Sequence, residues 1–289
     1  MIKRPRLDDP AWLDTQYNNR ARVADSAAIL AKWAEASALA REGSPAKRLD
    51  LRYGDGPNET LDIFPAAVPN APVLVFVHGG YWRALDKSDH SFVAPSFVAD
   101  GATVVVPNYA LCPAVTIEDI ALQMVRAVAW TWRHIAEHGG DPSRIALAGH
   151  SAGGHLVAML LSCRWKVVAD DLPLQPVTGA LAISGLYDLE PVRRAPFLQA
   201  DLRLTPQQVA RTSPAFFPRP KAGKLYATVG ADESDEVLRP NHLIRDQWRP
   251  TPGPVCETLP GTDHFTVLQS LADPAGRLHE LALRLLNLR

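Results

Sequence analysis

G-H-S-A-G-G at Gly149–Gly154 directly follows the apolar run R-I-A-L-A at Arg144–Ala148 and directly precedes the helix-like run His155–Ser162. This is the grammar of a strand, a sharp turn with serine at its apex, and a helix. A serine held on such a turn brings the residues two before and two after it into close backbone contact, where a Cβ would collide. The glycines at 149 and 153 answer that demand. The pentapeptide alone would arise by chance in roughly one chain in twenty of this length, so the flanking strand and helix carry much of its weight. Ser151 is therefore read as an exposed nucleophile.

The chain around it has 289 residues, 47% hydrophobic and 21% charged, which is globular composition. One domain over residues 1–289 is expected. A formal net charge of −1 gives no electrostatic reason to expect nucleic acid or an anionic membrane as a partner, and a small molecule fits better. Cys112, Cys163 and Cys256 lie far apart without C-x-x-C spacing, which indicates neither a zinc site nor a disulfide framework and suits a reducing compartment. The start M-I-K-R-P-R-L-D-D-P lacks an apolar stretch after its basic residues, and no apolar run approaches a membrane span. A soluble, cytoplasmic protein is expected.

Residues 17–42 read as an N-terminal helical segment, with alanine-rich helical spacing from Asn18 to Arg41 and Val23, Ile29, Leu30, Trp33 and Leu39 as its candidate buried stripe. Strands over Lys47–Tyr53 and Thr60–Phe64, parted by the turn cluster G-D-G-P-N, read as an antiparallel hairpin. From Ala71 onward, apolar strands at Val73–Val77, Thr103–Pro107, Arg144–Ala148, Val177–Ser184, Lys224–Val229 and Val255–Leu259 alternate with helices. Those helices are expected at Ser91–Asp100, Ile117–His138, His155–Cys163, Glu236–Trp248 and Phe265–Leu288. Continuous apolar strands joined by helical crossovers require a parallel sheet buried on both faces, so the fold class is α/β, in the α/β-hydrolase order: a mostly parallel central sheet with helices on both faces. The proline-rich stretch 189–220 interrupts the alternation where a short cap over the pocket would sit.

A serine hydroxyl needs a histidine to take its proton and an acid to hold that histidine. His264 follows the last strand across P-G-T-D and opens the final helix, and is the expected base. His242 and His279 read as surface or half-buried helix residues, the latter near the exposed end of the last helix. The acid should lie after the strand K-L-Y-A-T-V-G, where Asp232, Glu233, Asp235 and Glu236 crowd together; Asp188 after the preceding strand is a further candidate. Carboxylates not used for this would sit favourably at a helix N-terminus. H-G-G-Y-W at His78–Trp82 follows the strand Val73–Val77, and its glycines allow backbone N–H groups to point at a substrate carbonyl. The expected oxyanion donors are Gly80, Tyr81 and Ala152. Tyr81 and Trp82 either wall the pocket or pack into the fold. His150 and His155 lack carboxylate or cysteine partners at ligand spacing, so no metal is expected. Asp201–Gln208 and Arg193, Arg194 and Arg203 read as solvated lid surface.

At these residues the chain resembles the kynurenine formamidase (arylformamidase) and esterase group of the α/β-hydrolase fold. The resemblance rests on H-G-G-Y-W at 78–82, G-H-S-A-G at 149–153, D-H-F at 263–265, Y-N-N-R-A-R-V at 17–23 and S-P at 213–214, and spans nearly the whole chain. It implies Ser151 as nucleophile, His264 as base and Glu233, in E-S-D-E-V, as acid. Many relatives carry aspartate at that last position, which keeps Asp232 in play. Gly154, where alanine is frequent, and R-P at 239–240, where arginine and glutamine are usual, are further departures. Hydrolysis of a formyl amide on an aromatic amine, or of a short acyl ester, through an acyl-enzyme and without metal or organic cofactor, is what the resemblance implies. Tyr81, Trp82 and Phe265 would then face the acyl or aryl group under the 189–220 segment. A non-catalytic binding protein on the same scaffold and an acyltransferase are the competing readings.

Overall fold

The computed structural model describes residues 6–249 and 255–289. Among these, β1 (Arg48–Arg52), β2 (Thr60–Phe64), β3 (Ala71–Val77), β4 (Thr103–Pro107), β5 (Gly140–His150), β6 (Val177–Ile183), β7 (Lys224–Gly230) and β8 (Val255–Leu259) form one sheet in the order β1-β2-β4-β3-β5-β6-β7-β8. β1 and β2 pair antiparallel, as do β2 and β4, and every later pairing is parallel.

The side-chain alternation of the central strands divides the interior in two. Val73, Val75 and Val77 enter one core with Met124 and Leu156, while Leu74 and Phe76 enter the other with Phe97 and Leu281. A sheet apolar on both faces needs helices on both. Helices Ile117–His134 and Ala152–Leu161 cover the first face, and Ser26–Glu42 and Arg277–Leu285 the second. Helix Ile117–His134 starts where Thr116 and Asp119 exchange side-chain-to-backbone hydrogen bonds, a capping box that satisfies two otherwise orphan N–H groups.

Several expected helices are subdivided. The N-terminal segment is three helices, Pro10–Tyr17, Asn19–Arg22 and Ser26–Glu42; the first starts at Asp9, whose carboxylate accepts the Trp12 N–H, with proline next. That start signal, D-P, is visible in the sequence. In the stripe expected on Ser26–Glu42, Ile29 and Trp33 are buried but Leu39 is 61% exposed. The helix expected over Phe265–Leu288 breaks at D-P-A-G (273–276) into Gln269–Ala272 and Arg277–Leu285. His279 is not near an exposed end as expected: it is fully buried, its ring stacked on Phe97 at 4.2 Å and its Nε2 2.7 Å from Asp100. The 189–220 stretch is more regular than expected, containing helices Glu190–Arg194, Pro196–Leu202 and Pro206–Arg211.

Buried histidines give the fold a defined response to acid. Burial pulls His78, His90 and His155 down to about 4 from an ordinary 6.5. The unfolded chain takes up protons below 6.5 whereas the folded one refuses them until about 4, so unfolding binds protons in that window. The stability contributed by these rings should therefore fall as pH drops from 6.5 to 4. Thermal midpoints measured across this range should decline, and a flat profile would contradict the burial of these rings.

Candidate active site

β5 runs directly into Ser151, which adopts φ 58° and ψ −116°, outside the ordinary regions for a residue with a side chain. Such strain persists only where the surroundings over-determine it. Here they do. Ser151 donates its N–H to the Ile183 carbonyl of β6 at 2.8 Å, and helix Ala152–Leu161 begins at the next residue, against β3. A Cβ on Gly153 would lie 1.9 Å from the Val77 carbonyl oxygen, and one on Gly149 2.3 Å from that of Gly153.

Two further strand ends deliver the partners. The His264 Nε2 lies 3.1 Å from Ser151 Oγ and its Nδ1 2.6 Å from Glu233 Oε2. Since a carboxylate only accepts, the imidazole proton sits on Nδ1 and Nε2 faces the hydroxyl as an acceptor. Glu233 Oε1 accepts from Ser184 Oγ at 2.5 Å and from the Gly230 N–H at 2.9 Å, so the carboxylate is clamped on both oxygens. The other acids go elsewhere. Asp232 and Asp235 are exposed, Asp188 accepts from Arg239 at 3.1 Å, and Glu236, in the first turn of helix Asp235–Gln247 as expected, is buried between Tyr17 and Arg239.

After β3, Gly80, Tyr81 and Trp82 all have positive φ (102°, 51° and 55°), which folds the loop back beside the serine. His78 anchors it: its ring stacks on Tyr109 at 4.1 Å and 7°, while the Tyr109 hydroxyl donates to the carbonyls of His78 (2.9 Å) and Gly79 (3.1 Å). The Ala152 N–H stands at the first position of its helix, where no intrahelical acceptor exists. Anchoring extends to His264. His150, neutral because burial holds its pKa well below 6.5, donates from Nε2 to the His264 carbonyl at 2.8 Å.

Ser151 and His264 open into a cavity of about 310 Å³, also lined by Tyr81, Phe265 and Gly80. Trp82 is not in that wall: it is fully buried behind the loop, edge-on to His155 at 5.0 Å. With successive left-handed backbone angles, Tyr81 turns toward the cavity and Trp82 into the core. Lining residues that sequence reasoning missed come from four places: Asn18, Asn19 and Arg20; Leu30 and Trp33; Arg83, Ala84 and Leu85; and Phe197 with Asp201, which pairs with Arg83. Asp201 is thus part of the cavity rim and not simply solvated surface. Nothing local in Y-N-N-R says that a segment so far upstream of Ser151 lines the same cavity.

Residues 74–244 match the family model of the alpha/beta hydrolase fold. The chain belongs to the α/β-hydrolase family. Among its relatives, the kynurenine formamidase of Salmo salar is 29% identical over 248 residues, covering 83% of this chain and 82% of its own length. Esterase LipQ of Mycobacterium tuberculosis is 35% identical over 158 residues, half of this chain. A Silicibacter sp. protein provisionally assigned as a thioesterase has a crystal structure that superposes with a TM-score of 0.83 at 31% identity, over 92% of this chain and 97% of its own. Within the described residues of this α/β-hydrolase, no helix is long and apolar enough to cross a membrane.

The clamp on Glu233 generates a ranking. Glu233→Gln should lower kcat by about two to four orders of magnitude, whereas exposed Asp232→Asn should cost less than about threefold. Steady-state kinetics on a chromogenic ester would read both, and the reverse ranking would reject Glu233 as the orienting acid.

Proposed function

We propose that this α/β-hydrolase cleaves small carboxylic esters and aryl formamides through an acyl-enzyme, with Ser151 as nucleophile, His264 as base and Glu233 as the acid that orients it. The observation that supports this most directly is the unbroken chain Ser151–His264–Glu233, at 3.1 and 2.6 Å, opening into an apolar-and-polar cavity. The similarity to a kynurenine formamidase over 83% of this chain and the similarity to an esterase over 50% of it fit the same chemistry.

In this reading Ser151 Oγ attacks the substrate carbonyl as its proton passes to His264 Nε2, and Glu233 stabilises the imidazolium. The N–H groups of Gly80, Tyr81 and Ala152 hold the oxyanion. Collapse expels the alcohol or amine, which takes the proton from His264. Water then gives a proton to His264 and its oxygen to the acyl carbon, releasing the acid and restoring the serine. A cavity of about 310 Å³ at the lower end of ligand-site volumes suits a short acyl group with one aromatic ring, with Tyr81 and Phe265 against it. The helices of 189–220 contribute Phe197 and Asp201 as its cap, and the whole chain acts as one domain.

Ser151→Ala should abolish hydrolysis of p-nitrophenyl acetate by about a thousandfold or more in kcat while leaving the circular dichroism unchanged. Retention of a tenth of the activity would reject the nucleophile. Substrate class is decided by kcat/KM for N-formylkynurenine and p-nitrophenyl butyrate side by side. A formamide value below about 10 per molar per second beside an ordinary ester value would leave a carboxylesterase only.

A further inference from the structure

Arg83 joins the cap to the loop after β3. Helix Pro196–Leu202 buries Leu198 and Leu202 in the core and brings Phe197 and Asp201, which share one helix face, to the cavity that holds Ser151 and His264. The Arg83 Nη1 donates to the Phe197 carbonyl at 3.1 Å and to Asp201 Oδ2, and its guanidinium lies over the Phe197 ring at 5.4 Å. That ring in turn stands edge-on to Tyr81 at 5.9 Å. Ion pair, carbonyl bond and aromatic contacts thus meet where the cap closes on the loop.

The backbone under Arg83 is constrained. Its N–H donates to the Gly80 carbonyl at 3.1 Å, closing a tight turn whose central residues Tyr81 and Trp82 both have positive φ. The side chain therefore leaves the loop in a fixed direction, and the cap is seated by meeting it. The Arg83 and Asp201 side chains are 29% and 36% exposed. An ion pair so wetted adds little to the stability of a whole fold and is weakened by salt. Phe197 and Asp201 are, however, the residues by which 189–220 lines the cavity, so this pair bears on the seating of that wall and not on the integrity of the core.

We propose that Arg83 and Asp201 form a specificity-determining latch, which seats helix Pro196–Leu202 on the loop after β3 and so excludes substrates too long for the closed cavity of about 310 Å³. The proposal rests on the hydrolase reading above. It goes beyond that reading in making the size limit depend on a charge pair that salt loosens.

Two ester pairs test it: p-nitrophenyl octanoate against p-nitrophenyl acetate lengthens the acyl side, and octyl acetate against ethyl acetate lengthens the alcohol side. Comparing long-to-short ratios of kcat/KM between wild type, Asp201→Asn, Arg83→Met and the double variant cancels the esters' intrinsic reactivities. In the pair whose added chain runs under the cap, the ratio should rise at least about threefold in Asp201→Asn and about tenfold in Arg83→Met, which also loses the contacts to Phe197. Adding Asp201→Asn to Arg83→Met should change it no further, because the carboxylate acts through the guanidinium. Raising salt from about 0.01 to 1 M shortens the Debye length from about 30 to 3 Å and should raise the wild-type ratio more than that of Asp201→Asn, since salting-out of the longer chain is common to both. Asp201→Asn keeps the side-chain shape and decides the matter alone if Arg83→Met does not fold. Ratios unmoved by Asp201→Asn in both pairs, or a salt response equal to that of wild type, overturn the proposal. Wild type inert on all these esters, or active after Ser151→Ala, overturns the hydrolase reading and the latch with it, a failure of a different and recognisable kind.

Discussion

Everything in the site depends on the approach of Gly153 to the carbonyl of Val77. β3 and β5 pair in parallel with Val77 opposite Gly149, so the helix that leaves Ser151 must start across the end of β3. That is possible only if the first turn of the helix presents no side chain there, since an added Cβ would sit 1.9 Å from the carbonyl oxygen. The same packing brings the loop after β3 against the serine: a Cβ on Gly79 would lie 2.8 Å from the His150 carbonyl. The Ser151 turn and the loop after β3 are consequently a single packing arrangement, and the positive φ of Ser151 is the local strain that it imposes.

The remaining members are tied to this centre by hydrogen bonds that use neutral histidine. His150 joins the turn that carries Ser151 to the loop that carries His264 through one N–H-to-carbonyl bond, and a protonated ring beside the His264 imidazole would be repelled as soon as that base took a proton. Burial removes the problem by disfavouring the charged form of His150, largely through desolvation and secondarily through His264 itself. Trp33 contributes by packing edge-on to His150 at 6.1 Å and tilted on Phe265 at the same separation. A helix far upstream in the chain thus closes the apolar side of the base.

The succession of strands and helices and the Ser151 turn were legible because they are local: apolar runs, glycines at fixed offsets and turn clusters report backbone geometry over a few residues. His264 was legible for a related reason, since the end of the last parallel strand is the edge of the sheet to which Ser151 already belongs. Which of five carboxylates faces His264 was not legible from propensity. It is decided by Ser184 Oγ and the Gly230 N–H, a contact between residues 49 apart and a turn of three, and only the resemblance singled out Glu233. Trp82 was ambiguous because side-chain direction in a loop depends on φ, and three consecutive positive values are not readable from H-G-G-Y-W. The polar wall from Asn18 to Arg20 depends on tertiary packing across more than a hundred residues.

That packing is itself built around buried charge. Tyr17 donates to Glu236 Oε2 at 2.9 Å, Arg239 bridges Glu236 and Asp188, and Ser234 Oγ donates to the Gln16 carbonyl at 2.6 Å. Burial raises the Tyr17 hydroxyl well above its ordinary range, so its proton stays and the bond to Glu236 keeps one sense. A buried network of this kind adds little net stability against a well-packed apolar alternative, because each charge loses its hydration. What it does supply is direction. Apolar contacts would let helix Pro10–Tyr17 slide over the helices it packs on, whereas directional bonds to residues 234 and 236 lock it to the turn that carries Glu233. The polar wall of the cavity, which continues from Tyr17, is thereby positioned by the same residues that position the acid. Pro240 lies inside helix Asp235–Gln247, where it removes one backbone donor. With the helix weakened at that point, the side chains of Glu236 and Arg239 carry more of the alignment between the acid turn and the N-terminal wall.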